Sequence, residues 1–138
     1  MSRDLVIHTD GGARGNPGPS GVGVVVFRDG KVVYELSKYI GTATNNEAEY
    51  KAFLMSLDWV VEKELELKPA RVTWRLDSKL VVEQVNKNWK VKLPHLRKLA
   101  EEAWEGLEKL SCPHEIGFVP REENSSADAL VNQALDAR

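Results

Sequence analysis

The sequence predicts an α/β fold of the layered α+β kind: a five-stranded mixed sheet with elements in the order β-β-β-α-β-α-α-β-α. Three features carry this reading. The chain opens with β-branched runs around a hairpin signal, its hydrophobic period lengthens from strand-like to helix-like near Thr44, and short strands then alternate with helical stretches. With 138 residues, 42% of them hydrophobic, a single domain over 1–138 with a sizeable core is expected.

Residues 4–10, "DLVIHTD", and 21–28, "GVGVVVFR", are β-branched and bounded by turn formers, so both read as strands. Between them the glycine- and proline-rich residues 11–20 read as a connection with little side-chain bulk, open to the approach of a large, flat ligand beside Asp10. Bulky substitution at Gly11 or Gly12 is therefore expected to harm ligand handling more than folding. Asp29-Gly30 is a hairpin signal, and 31–40, "KVVYELSKYI", supplies a third, antiparallel strand. From Thr44 onward Tyr50, Phe53, Leu54, Leu57 and Val61 form a helical stripe that ends before Pro69. "RVTWRLD", 71–77, alternates apolar and polar and ends on an acid, after which Ser78 caps a helix over "SKLVVEQVNK". Pro94 opens the helix "PHLRKLAEEAWEGLEKL", 114–120 is the last strand, and 124–137 the last helix.

A net charge of -2 argues against binding nucleic acid through bulk positive charge. The charge is unevenly placed, however. Residues 87–98, "KNWKVKLPHLRK", hold five Lys/Arg and no acid around Trp89, a composition suited to phosphates and to stacking on a base or sugar. The competing reading is a solvated helix start with Trp89 as packing anchor. The lone Cys112 has no disulfide partner within the chain and there is no Cys/His cluster, so a structural zinc site is not expected and any metal must have oxygen ligands. No apolar run is long enough for a signal peptide or membrane span, so a soluble, cytoplasmic protein without membrane partners is expected, and separately a monomer.

A strand reached through a helical crossover usually runs parallel to its neighbour. If 71–76 lies beside 4–9, Asp10 and Asp77 end adjacent parallel strands, where open α/β sheets place ligands. Two such acids repel unless a cation lies between them, and a divalent ion with oxygen ligands fits best. In "TNNEAEYK" helical geometry leaves Glu47 and Glu49 open, flanking the stripe on opposite sides. Thr44-x-x-Glu47 fits a capping box and Glu47 can pair with Lys51, which gives Glu47 a structural role and leaves Glu49 without one. Asp128 is a fourth candidate. Taken singly it reads as a first-turn carboxylate favoured by the helix dipole, with Ser125-x-x-Asp128 resembling a second capping arrangement.

"TDGGARGNPGPSGVG", "TNNEAEY", "LDSKLVVEQVN", "NWKVKLPHL" and "VPREENSSADALVNQA" occur in the order and spacing of type HI ribonucleases, and from about residue 4 to 136 the chain resembles a compact bacterial or archaeal member of that family. The resemblance implies an endonuclease that cuts the RNA strand of RNA/DNA hybrids, leaving 5′-phosphate and 3′-hydroxyl ends. It implies Asp10, Glu49, Asp77 and Asp128 as catalytic and metal-binding acids. Two Mg2+ ions, or Mn2+, would sit roughly 4 Å apart at the scissile phosphate. Hybrid contacts are implied for Gly11, Gly12, Ala13, Asn16, Asn45, Asn46 and Lys79, with Thr44 at a DNA-strand phosphate and Trp89 and Lys90 in the basic segment.

Lys79 stands where some members carry an amide, which favours a phosphate or charge contact over a reciprocal hydroxyl bond, and two other departures stand out. The cationic handle helix of some members is absent, since "VNKNWKVKLPHL" runs on directly. The usual loop histidine before the last acid is also missing: "VPREENSSAD" offers Arg121 and Glu122, with Arg121 the candidate substitute at a phosphate, while His114 reads as a surface residue. Two other readings stay in play. One is a nuclease of the same architecture acting on double-stranded RNA or another nucleic acid; the other is a non-catalytic hybrid-binding module, which would be expected to have lost an acid.

Overall fold

The computed structural model describes residues 3–138. In it the β-branched runs form β1 (Asp4–Ala13), β2 (Gly18–Arg28) and β3 (Lys31–Ala43); after helix α1 (Asn45–Leu67) come β4 (Arg71–Leu76), α2 (Lys79–Val85), α3 (Pro94–Glu108), β5 (His114–Phe118), a 3-10 turn (Arg121–Glu123) and α4 (Ser125–Ala137). The five strands make one mixed sheet in the order β3-β2-β1-β4-β5. β2 is antiparallel to β1 and β3, and β4, reached through α1, is parallel to β1 and β5. The β2–β3 hairpin turns on Asp29 and Gly30, both left-handed (φ 53° and 74°), as a tight two-residue turn requires.

Helices cover both faces. Neighbouring residues of a strand point to opposite sides, and a Cβ on Gly11 would lie 2.2 Å from the Ala48 carbonyl oxygen of α1, whereas one on Gly12 would meet Val131 of α4 at 3.6 Å. On the α1 side, Leu5, Ile7, Val24 and Val26 of the sheet pack with Tyr50, Phe53, Leu57 and Val60, and the same core takes in Trp74, Val82, Leu96 and Ala100. Trp74 is fully buried, and its indole N–H donates to Ser56 Oγ at 2.8 Å, so no polar group is stranded there.

The glycine-rich stretch is the main departure from the sequence reading. It is not a loop: β1 runs on to Ala13, β2 starts at Gly18, and only Arg14–Pro17 separate them. The missing side chains serve helix packing. Gly11 lets the α1 backbone rest on β1, and Gly23 does the same for α4, where a Cβ would stand 2.2 Å from the Ala127 carbonyl oxygen.

Three smaller differences follow from local contacts. In α1 the buried residues include Ala48, Glu49, Ala52, Ser56 and Val60, while Leu54 and Val61 are only half-buried. Small residues escape an apolar-period reading, and they shift the buried stripe so that Glu49, four before Phe53, lies on it. α2 stops at Val85, because Lys87 turns left-handed (φ 64°) and the Asn88 and Trp89 N–H groups fold back onto the Glu83 carbonyl. Ser125 is the first residue of α4 and not its cap; Asn124 holds the cap position.

Gly11→Ala and Gly23→Ala are each expected to lower the unfolding free energy by about 1–3 kcal/mol through forced separation of helix and sheet. Gly12→Ala should stay within about 1 kcal/mol of the parent. Urea unfolding of the three variants measures the contrast.

Candidate active site

β1 pairs with β4 as far as Thr9 opposite Leu76, after which β4 ends and β1 continues alongside β2. Asp10 and Asp77 are the next residue on each strand, so their carboxyl groups emerge side by side. Glu49 reaches them from the first turns of α1. The Gly11 N–H donates to Glu49 Oε1 at 2.8 Å, so the close packing that requires a glycine at position 11 also aims this carboxylate. Carboxylate oxygens of Asp10, Glu49 and Asp77 lie within 4.8 Å of one another. Asp128, in the first turn of α4, lines the same cavity of about 380 Å³, as does Arg121.

Crowding acids in a poorly solvated place disfavours their ionised forms. Burial pushes the Asp10 carboxyl up to about 6, and the charges of Asp77 and Asp128 add to the rise. Glu49 is pushed well above its ordinary value too, again first by burial and then by Asp10 beside it. Its second oxygen, Oε2, is buried without a hydrogen-bond partner among the described residues. An orphaned carboxylate oxygen facing two more acids, with no nitrogen or sulfur donor in the group, suits a hard divalent cation.

Asn124 is a residue the sequence reading missed. It is fully buried, and its amide N–H group donates to the Thr9 carbonyl at 2.9 Å and to Asp77 Oδ2 at 3.1 Å, while its Oδ1 lies 3.0 Å from His8 Nδ1. Nothing in "REENSSAD" separates such a residue from an ordinary helix cap. Asn132 was missed too; one turn after Asp128, its amide donates to the Asp128 carbonyl at 3.2 Å.

The remaining predicted residues divide into two groups. Gly11, Gly12, Ala13 and Asn45 line the acidic cavity. Asn45 Oδ1 accepts from Ala13 N–H at 2.9 Å and Asn16 Oδ1 from Asn45 N–H at 2.9 Å, so these two side chains tie the β1–β2 turn to the start of α1. Thr44 and Glu47 form the expected capping box, and the Thr44 N–H holds the Glu47 carboxyl below its ordinary range. Asn46 and Lys79 are exposed at the starts of α1 and α2, outside the cavity lining.

In the basic segment Trp89 is 45% exposed, so it is not the packing anchor. That part falls to Trp104, whose ring lies 5.0 Å from Lys87 Nζ and 5.1 Å from the Arg97 guanidinium and whose N–H donates to the Val85 carbonyl. Lys90 is exposed, with its carbonyl 3.4 Å from the Gln84 amide nitrogen. His114 is half-buried edge-on to Trp74 rather than a surface group, and it begins β5 opposite Val72, at the sheet end remote from the acids.

The sequence profile of the family described as reverse transcriptase-like matches residues 8–134. The ribonuclease H of Hydrogenovibrio crunogenus is 34% identical over 150 residues, covering 97% of each chain. Bifunctional protein Rv2228c of Mycobacterium tuberculosis is 44% identical over 135 residues, 96% of this chain and 36% of that one, so the chain spans about a third of the length of the first curated relatives it matches. LC11-RNase H1, isolated from compost by a metagenomic approach, superposes with a TM-score of 0.92 at 40% identity, covering 98% of this chain and 97% of its own. The same protein has been solved in complex with an RNA/DNA hybrid, where the TM-score is 0.89 at 39% identity over 96% and 97% of the two chains. The chain belongs to the ribonuclease H family. Family and acidic cluster together support use of a divalent metal, and among the described residues no helix is long and apolar enough to cross a membrane.

The raised Asp10 carboxyl makes metal-free stability depend on pH. Between its ordinary value of 3.8 and its folded value of about 6 the folded state holds more protons than the unfolded one. This contribution is complete at low pH and is lost as pH rises through 6. Asp10→Asn, which never ionises, is therefore expected to stabilise the chelator-treated protein by about 1–3 kcal/mol at pH 8 and by little at pH 4. Urea unfolding at the two pH values reads the difference.

Proposed function

We propose that this chain is an endonuclease that hydrolyses the RNA strand of RNA/DNA hybrids, with Asp10, Glu49, Asp77 and Asp128 holding two Mg2+ ions that Mn2+ can replace, and with 5′-phosphate and 3′-hydroxyl products. The observation that carries the proposal is the converging carboxylate trio, Asp10 and Glu49 buried and Asp77 half-buried, with its unpartnered Glu49 oxygen, in a family one of whose members has been solved on such a hybrid. When bound, the cations supply Lewis acidity at the scissile phosphate and lower the pKa of a water for attack. The protein holds the acids in place before substrate arrives: Asp10 and Asp77 by strand ends, Glu49 by the Gly11 N–H, Asp128 by the first turn of α4. Such preorganisation avoids rearranging dipoles as charge develops on the phosphate oxygens.

Hybrid recognition falls to the rim of this cavity. Asn16 and Asn45 give their carbonyl oxygens to the fold and keep amide N–H groups for a 2′-hydroxyl or base edge. Gly12 and Ala13 offer low-bulk backbone at the cavity wall, and Asn46 and Thr44 continue the surface onto the start of α1. Outside the cavity lining Lys79, Lys90 and the exposed Trp89 meet phosphates and a sugar or base of the hybrid, and Arg121 contacts a phosphate at the cavity itself. All four acids come from one chain, so a monomer suffices. A non-catalytic module would have no use for retaining every acid at a site whose repulsion destabilises the metal-free fold.

On a labelled hybrid with Mg2+, Asp10→Asn should abolish cleavage and leave hybrid binding within a few-fold of the parent, while matched double-stranded RNA and DNA remain largely uncut; cleavage by the variant, or preference for duplex RNA, would overturn the assignment. Lys90→Ala should weaken hybrid binding irrespective of sequence and reduce the slope of log affinity against log salt by about 1. A salt titration of both proteins gives that slope.

A further inference from the structure

Asn124 has the position of a helix cap, yet its side chain makes no cap bond. Its contacts fix its orientation. Thr9 O and Asp77 Oδ2 both accept, so the group facing them must be the Nδ2 donor; Oδ1 then faces His8 Nδ1, which must carry the proton. Its main-chain carbonyl also accepts from the Asp128 N–H at 3.1 Å. A single residue thus ties the carbonyl just before Asp10, one oxygen of the Asp77 carboxylate, and the amide of Asp128.

We infer that Asn124, held in orientation by His8, is the positioning residue that fixes the Asp77 carboxylate and the start of α4 against the end of β1, and so sets the cation affinity of the site. The inference rests on the cation-site reading above and adds two residues to it. A carboxylate with one oxygen hydrogen-bonded cannot rotate freely, and removing such outer partners of a ligand typically weakens metal binding by about 10–100-fold. Among the described residues the hydrogen bond of the His8 ring goes to Asn124 and to no acid of the trio, so its influence must pass through Asn124.

Calorimetric titration of the intact protein with Mn2+ alone, at pH 8 and without nucleic acid, tests this. Asn124→Ala should weaken Mn2+ binding at least tenfold and His8→Leu several-fold. His8→Asn restores an N–H at the place of Nδ1 and should bind as the parent does. The His8→Leu/Asn124→Ala double variant should bind no more weakly than Asn124→Ala, because one residue acts through the other. A purely structural role would instead lower unfolding stability and leave the affinity of folded molecules unchanged. Unchanged affinity, equal loss in His8→Leu and His8→Asn, or additive losses in the double variant would overturn the inference; should Asn124→Ala not fold, the two His8 variants decide it. A parent protein that binds no Mn2+ would remove the cation-site reading itself, and this inference with it.

Discussion

The seating of α1 on β1 at Gly11 is the contact on which the site depends. There the helix backbone lies where a side chain would otherwise be, so strand and helix meet main chain to main chain. That proximity puts the Gly11 N–H within 2.8 Å of Glu49 and brings a helix-borne acid up to two strand-borne ones. Had any side chain stood at position 11, the helix would be displaced outward and the third carboxylate with it. α4 repeats the arrangement on the opposite face through Gly23, which carries Asp128 to the same cavity.

These close seatings have an electrostatic consequence. Four acids are held at a place where water cannot fully solvate them, and the rise of Asp10 and Glu49 records the strain of keeping them there. A ligand that binds only the folded arrangement stabilises it by mass action. Cation binding and fold stability are thereby coupled, and the hydrophobic core around Trp74 and Phe53 must carry the metal-free protein alone.

The element order was readable because each signal was local: Asp29-Gly30 for the hairpin, Thr44 with Glu47 for the cap of α1, Pro94 for the start of α3. What stayed hidden depends on contacts between distant segments. Gly11 and Gly23 look like turn residues until the helix that each admits is in place. The capping box already set Glu47 apart from Glu49, but the burial of Glu49 depends on Ala48, Ala52 and Ser56 completing the stripe, and an apolar period does not count them. Asn124 reads as a cap, yet its partners lie 47 to 116 residues away. The four acids could be brought together from the sequence by family resemblance; the residue that orients one of them could not.

Trp104 gives the basic segment a further property. Lys87 lies over the indole face rather than against a carboxylate, and Arg97 shares that ring while standing 3.5 Å from Glu101. An aromatic face immobilises a cation without cancelling it. The segment is therefore moored through the ring's quadrupole, and Lys87 keeps its formal charge for whatever approaches it. Mooring and charge are separate variables here: the lysines at 90 and 92 can drift without loosening the segment, provided that Lys87 and the indole stay.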